Sequence, residues 1–368
     1  MFIKEEIQGK KTKVKKLLDT LGLDGILIKK ISNFAWITGG GINYVGITTE
    51  VGICPILITR DADYVISNAI EAPRLREEEL IVEQGYVQKI YPWHNDAGEA
   101  ESVSAIMKDG KLGSDFGYPG SVNVNKELDH LRWSLDQWEI DRYRELGRKT
   151  SLIIEETCKT IRPGDKECQI IGRLLARLWE DRIDHINTFC AADDRIGKFR
   201  HPVGTERKVD KRAMLCVNSR HKGLIISITR FVQFGKVPPD IREKYNKNML
   251  IDCTFMANTM PGTPLAQVFE KGIQAYKDVG YGDEPELHHQ GGAIGYVGRE
   301  SRVHWGTQDV VFENQAFAWN PSITGAKSED VMLATSKGPE LLSYPVIYPK
   351  LDVEVNGYKF GRPDILEM

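Results

Sequence analysis

With 368 residues the chain exceeds what one hydrophobic core usually organises, so two domains are expected. Its 41% hydrophobic and 27% charged residues are the balance of an ordinary globular protein, and a net charge of −3 gives no reason to expect a nucleic-acid partner. No run approaches the roughly eighteen apolar residues of a membrane span, the N-terminus lacks a secretory core, and the six cysteines form no CxxC pair; a cytoplasmic protein with reduced thiols and no membrane partner is expected.

The basic run Lys10-Lys11-Thr12-Lys13-Val14-Lys15-Lys16 lies on an amphipathic helix ending near Gly22, with Leu17, Leu18 and Leu21 inward and the lysines on a solvated face. Short β-branched runs follow at 25–28, 51–59 and 64–66, punctuated by Gly, Asp and Pro, which predicts a modest α/β layer. The pattern dissolves into turn residues around Pro119-Gly120 and Val122 to Asn125, so the boundary is placed at 130, giving domains 1–130 and 131–368. A long helix is predicted from about Trp138. A turn at Arg162-Pro163-Gly164-Asp165 is expected to cap a second, from Lys166 to Trp179. Strand patterns cover Met214 to Val217 and Leu224 to Val232, the latter apolar enough to bury both faces; helical patterns cover Pro239 to Met256 and Pro264 to Val279.

Four motifs stand out. They are Ser227-Ile228-Thr229-Arg230, then His288-His289-Gln290-Gly291-Gly292-Ala293-Ile294-Gly295, then Phe317-Ala318-Trp319-Asn320-Pro321, and last Ser328-Glu329-Asp330. In order and spacing they resemble the metal-binding motifs of the pita-bread family, which includes creatinase, aminopeptidase P and methionine aminopeptidase. Ser32 to Gly40, Ile161 to Gly164 and Phe234-Gly235-Lys236 resemble further segments of that family. The resemblance implies an α+β fold: a pita-bread C-terminal domain, with helices outside a curved antiparallel sheet, behind a smaller α/β N-terminal domain.

The family's metal-ligand positions fall on Cys216, Ser227, Gly292, Asn320 and Glu329, and only Glu329 keeps its type. A dinuclear hydrolytic centre needs about five anionic or imidazole ligands, and even catalytic zinc usually has three. One carboxylate and one thiol are too few, so no metal and no other cofactor is expected. Gly292, which has no side chain, is expected to leave open volume for a substrate.

What remains suits proton transfer. His201, fifteen residues before Cys216, resembles the family's first active-site histidine, and an imidazole near neutrality can both give and take a proton. His288 resembles the substrate-binding histidine. With Glu329 these form the expected catalytic set. Arg299 is the expected anion clamp, its planar guanidinium suited to a carboxylate; Arg230 is the lesser candidate, and either can instead pair internally. Ser227 and Asn320 are expected to line the former metal cavity. Cys216 is expected beside them, as a small buried thiol on an apolar strand rather than as a nucleophile.

The expected function is therefore metal-independent, creatinase-like hydrolysis of a C–N bond in a small polar, carboxylate-bearing molecule. The alternatives are a non-catalytic pita-bread module that holds a peptide or ligand, a metallopeptidase of the Xaa-Pro dipeptidase type, and a lyase or isomerase using the same histidine. Thr38-Gly39-Gly40-Gly41-Ile42-Asn43-Tyr44-Val45 makes a close-approaching loop; the resemblance implies a homodimer in which Asn43 or Tyr44 borders the partner's site.

Overall fold

The computed structural model describes residues 3–368. They form two compact units: one reaches Arg132 and includes Lys222–Leu224, and the other comprises Trp133–His221 and Ile225–Met368. Among the described residues no helix is long and apolar enough to cross a membrane.

The first unit is built on a six-stranded sheet. Its order is Val87–Tyr91, Asp63–Asn68, Val51–Thr59, Gly25–Lys30, Leu112–Ser114, Val122–Asn123. The central pairs, Gly25–Lys30 with Val51–Thr59 and Val51–Thr59 with Asp63–Asn68, are antiparallel, and the outer pairs are parallel. The three central strands carry Ile26, Leu27, Ile56, Leu57, Val65 and Ile66 into the interior.

The helix Lys4–Leu21 ends on Gly22, whose φ of 63° is the left-handed conformation glycine adopts without Cβ strain. Its buried face differs from the expected one. Ile7, Val14 and Leu18 point inward, Leu21 is exposed, and Lys10 and Lys11 are buried rather than solvated. Each buried lysine has a partner that offsets its desolvation: Lys10 lies 2.5 Å from Glu6, while Lys11 lies 3.1 Å from Asp63 and stacks its ammonium 3.5 Å from the Tyr86 ring centroid.

The second unit has two principal sheets. A four-stranded sheet runs Leu366–Glu367, Leu224–Gln233, Arg212–His221, Asp184–Ala192, and every residue of the 224–233 strand is buried. The other runs Ser301–Arg302, Gly291–Ile294, Gln315–Trp319, Asp330–Thr335, Gly338–Leu341, antiparallel throughout. Helices Gln137–Thr160, Glu167–Glu180, Pro239–Asn258 and Leu265–Asp278 complete the unit. Asp136 caps the first by accepting from the Glu139 amide while Glu139 reaches back to its own. In the 162–165 turn the Asp165 carboxylate accepts from the Arg162 amide at 2.8 Å, and the helix that follows takes Lys166 as its N-cap. The main core stacks Trp319 on Phe255, ring centroids 4.7 Å apart, with the indole N–H donating to Thr259 Oγ1 at 3.0 Å.

A buried ionic network ties the two sheets to the helices. Arg230 lies 3.1 Å from both Glu155 and Asp330, and Arg362 lies 2.7 Å from Asp252 and 3.1 Å from Asp330, all five side chains fully buried. Arg230 thus pairs internally and is not available to a substrate. Removing one member leaves an uncompensated buried charge, so Arg230→Met is expected to cost about 3–5 kcal/mol. Urea unfolding followed by circular dichroism measures this; a loss below about 1 kcal/mol would show that the network is not a stabilising element.

Candidate active site

The site is assembled by several segments of the second unit. The 224–233 strand brings Ser227 and Thr229 to one face, since side chains two apart on a strand share a side. The hairpin of Ser322–Ile323 with Ala326–Lys327 leads directly into Glu329 and the Asp330–Thr335 strand. Along this last stretch the pleat sorts four consecutive residues. Lys327 and Glu329 meet each other on one side, while Ser328 donates to Asp252 and Asp330 meets Arg230 and Arg362 on the other.

Glu329 is the electrostatic centre. Its Oε2 lies 3.0 Å from the Lys327 ammonium, and its Oε1 accepts from Arg299 at 3.1 Å. Thr229 Oγ1 lies 3.2 Å from Glu329 Oε2 and 3.2 Å from Cys216 Sγ. Burial alone would raise the Glu329 carboxyl, but Lys327 and Arg299 outweigh it and hold it down at about 2. Burial likewise works against the Lys327 ammonium, and the Glu329 carboxylate reverses this, so the lysine stays charged. Burial raises the Cys216 thiol, which disfavours the thiolate a nucleophile requires.

Beside this cluster stand three imidazoles. His201, exposed at one edge, stacks on Phe189 and places its Nε2 3.3 Å from His288 Nε2. His288 is buried and its Nδ1 lies 3.1 Å from Ser322 Oγ, which accepts from Arg200 at 3.1 Å. His289 packs against both rings, and its Nδ1 accepts from the Gly291 amide at 3.2 Å. Desolvation and then the Lys327 charge depress His288 to about 2, desolvation and then Arg299 depress His289 to about 4, and desolvation with Lys327 also lowers His201. All three rings are therefore neutral at pH 7. Two facing Nε2 atoms at hydrogen-bond distance hold one hydrogen and one lone pair between them, which is the arrangement of a proton-sharing pair. Against two cations and one carboxylate, the neutral rings leave the cluster with one net positive charge.

The structure thus brings together His201, His288, Glu329, Arg299 and Cys216 from the expected set. Arg299 is committed to Glu329, with its Nε buried and unpartnered. Ser227 and Asn320 are buried, and their Oγ and Oδ1 find no hydrogen-bond partner among the described residues. Lys327, His289 and Thr229 were not among the expected residues. Lys327 was legible as the first member of a Lys-Ser-Glu triplet at strand spacing. Asn43 does not fit its expected role: it is fully buried in the first unit, where its amide donates to the carbonyls of Lys29 and Cys54 at 3.0 and 3.1 Å. Tyr44 is half-buried in the same unit.

The expectation of open volume at Gly292 is also overturned. A Cβ there would lie 2.1 Å from the Ser301 carbonyl oxygen and 3.0 Å from Val303, because the Ser301–Arg302 strand pairs directly across it, and its φ of 145° suits only glycine. Gly291 is equally hemmed in, its Cβ position 2.2 Å from the Ala318 carbonyl. A dinuclear metal centre does not fit these residues: the ligand position at 292 has no room for a side chain, and both oxygens of Glu329 already face cations. The ring nitrogens of His201, His288 and His289 do lie within 4.8 Å of one another, but Lys327, Arg299 and Arg302 surround them with positive charge, which opposes a further cation.

Two outcomes follow. Gly292→His is expected to destabilise the protein by several kcal/mol through backbone displacement rather than to create a metal site; a variant of native thermal midpoint that takes up Mn2+ would overturn this. The depressed histidines make stability pH-dependent. Unfolded, they titrate near about 6.5, so below that pH the unfolded chain binds protons the native site refuses. Their contribution is complete above about 6.5 and is lost as pH falls towards 4 for His289 and towards 2 for His288. Urea midpoints at pH 7.5 and 5 should show the decline, shallower in His289→Gln; equal slopes would disprove the burial of neutral imidazoles.

Residues 10–130 match the creatinase/prolidase N-terminal domain. An uncharacterized peptidase of Staphylococcus aureus is 20% identical over 358 residues, spanning 90% of this chain and 99% of that protein. Among solved structures, an Xaa-Pro dipeptidase from Bacillus anthracis superposes with a TM-score of 0.76 at 18% identity, covering 98% of this chain and all of the other. The N-terminal domain of the FACT complex subunit SPT16 from Cicer arietinum gives 0.73 at 13% identity over 94% and 98%. The chain has a creatinase/prolidase N-terminal domain and the pita-bread fold.

Proposed function

We propose that this chain, with its creatinase/prolidase N-terminal domain and pita-bread fold, is a metal-independent hydrolase. It cleaves a C–N bond in a small, polar, carboxylate-bearing substrate with His201 as general acid and base. The observation that carries the reading is the His201–His288 contact of 3.3 Å beside a carboxylate held by two cations. The exposed ring faces solvent and substrate, and the buried ring can take or return its proton.

In this reading a water attacks the carbon of an amide or amidine. His201 accepts its proton and returns it to the leaving nitrogen, and His288 steadies the imidazole through the shared hydrogen. Lys327 and Arg299 supply the positive charge that favours a developing oxyanion, a role that costs little reorganisation in a buried site. Ser227 Oγ and Asn320 Oδ1, which lack internal partners, are left to hydrogen-bond a ligand. The named peptidase and dipeptidase relatives support the coarser class, hydrolysis of a C–N bond. Metal independence is supported by Glu329, whose two oxygens face Lys327 and Arg299 where a bridging carboxylate would face ions.

The binding-module alternative draws on the likeness to the SPT16 domain, but a groove that only holds a peptide has no need of a proton-sharing pair of imidazoles. His201→Asn is expected to keep the thermal midpoint and to lower turnover about a hundredfold or more, assayed on a panel of amidines, N-acyl amino acids and dipeptides. Turnover should be unchanged by chelator. Activity that appears only with added Mn2+ or Co2+ would restore the metallopeptidase reading; an undiminished rate in His201→Asn would remove its role.

A further inference from the structure

His201 stands on an irregular excursion of the chain. The strand Asp184–Ala192 ends at Ala192, and the chain comes back at Thr205, whose carbonyl accepts from the Cys168 amide at 3.0 Å at the start of the helix Glu167–Glu180. Between them, residues 193–204 carry only one short helix, Arg195–Lys198. A connection of that length has many courses open to it, whereas the 3.3 Å contact of His201 with His288 tolerates little displacement. The loop needs a fastening.

One carboxylate supplies it at both roots. Glu167, the fully buried first residue of that helix, accepts through Oε1 from the Ala192 amide at 2.8 Å and through Oε2 from the Thr205 amide at 2.8 Å and the Thr205 hydroxyl at 2.7 Å. Arg195, inside the loop, gives one guanidinium nitrogen to the same Oε2 and the other to the Val203 carbonyl at 3.1 Å, so it ties the outgoing limb to the returning one. Val203 in turn bridges to Phe189, the ring on which His201 stacks with centroids 5.4 Å apart. A buried carboxylate is costly unless its lone pairs are used, and four donors, one of them a cation, use those of Glu167. An apolar side chain of similar size would fill the same volume but leave the two root amides unpaired. What the carboxylate adds to packing is therefore its hold on the loop.

We propose that Glu167 is a positioning residue for His201: it fastens both roots of the 193–204 loop and so keeps the imidazole stacked on Phe189 with its Nε2 against His288. Among the described residues it hydrogen-bonds to neither histidine ring, so it acts through the loop. A second tether exists at Arg200, which is held by Glu284, by Thr324 Oγ1 at 2.9 Å and by Ser322 Oγ at 3.1 Å. That tether fixes the residue beside His201 but neither root, and the ring is expected to need both. The inference rests on the hydrolase reading for what the held ring does; the hold itself is observable without turnover.

NMR of the full chain labelled with 13C-histidine reads the ring directly, the His201 signal being the one absent from His201→Asn. In the parent that signal should carry the ring-current shift of Phe189 and titrate below the usual histidine range, because burial and then the Lys327 charge disfavour the imidazolium. Glu167→Gln turns an amide N–H towards at least one of the four donors. It should erase the Phe189 shift and raise the midpoint towards about 6.5. Arg195→Gln and Thr205→Val each remove part of the fastening and should give part of both changes; they leave the carboxylate partnered, so they decide the matter if Glu167→Gln does not fold. Leu174→Ala opens a core cavity in the same helix without touching these bonds, and it should lower the thermal midpoint while leaving both His201 readings at their parent values. Unchanged readings in every folded loop variant, or readings moved as far by Leu174→Ala, would overturn the positioning role. On a substrate found for the parent, Glu167→Gln should lower kcat by roughly ten- to a hundredfold with KM changed less than about threefold. A displaced ring with kcat unchanged would instead remove His201 from the chemistry and leave its positioning by Glu167 intact.

Discussion

A carboxylate buried as deeply as Glu329 must be paired, because an isolated charge in a low-dielectric interior costs more than a fold can supply. In this chain the partners are side chains. Lys327 takes one oxygen and Arg299 the other, and Thr229 adds a hydroxyl on the lysine side. That choice propagates outward: the carboxylate stays ionised, the lysine stays charged despite its burial, and burial together with the Lys327 charge keeps the neighbouring imidazoles neutral. Neutral imidazoles in hydrogen-bond contact can pass a proton, whereas two imidazolium ions at the same distance would repel.

The same stretch of chain supports the cluster from behind. Because a strand alternates its faces, Ser328 and Asp330 point away from the site into the Arg230–Arg362 network, so the residues that orient Glu329 are locked by ion pairs on the opposite side. The network links Glu155 of the long 137–160 helix, Asp252 of the 239–258 helix and the hairpin strand bearing Arg362. The Ser301–Arg302 strand lies equally tight over Gly292 on the neighbouring strand.

Elements governed by local pattern were legible in the sequence. The 51–59 strand, the fully apolar 224–233 strand and the helices beginning at Gln137 and Pro239 follow from periodicity and from turn residues that announce their ends. The inner face of the first helix was not, because burial there depends on Asp63 and Tyr86, supplied from elsewhere, and on Glu6 one turn before Lys10, which together make a lysine the right residue inside. His201, His288 and Glu329 were recognisable through motif order, but their electrostatic state depended on Lys327, whose importance is a matter of distance rather than type. Gly292 shows the opposite failure. Absence of a side chain suggested space, yet in a sheet the missing Cβ is what allows the neighbouring backbone to close in.

The buried carboxylate and its internal cations therefore form one unit rather than separate features. Glu329 alone would be a buried, uncompensated anion, destabilising the fold unless a positive charge lay beside it. Lys327 supplies that charge from two residues away on the same face, and Arg299 completes it from the loop before the Ser301–Arg302 strand. Stability alone is satisfied by this pairing. It does not account for His201 remaining at the exposed edge with its Nε2 turned to His288, or for Ser227 and Asn320 remaining polar without internal partners. Buried polar atoms left unpaired carry a cost that apolar replacements would remove, and a chain that keeps them beside a proton-sharing pair is better explained by a ligand that uses them than by a fold that merely tolerates them.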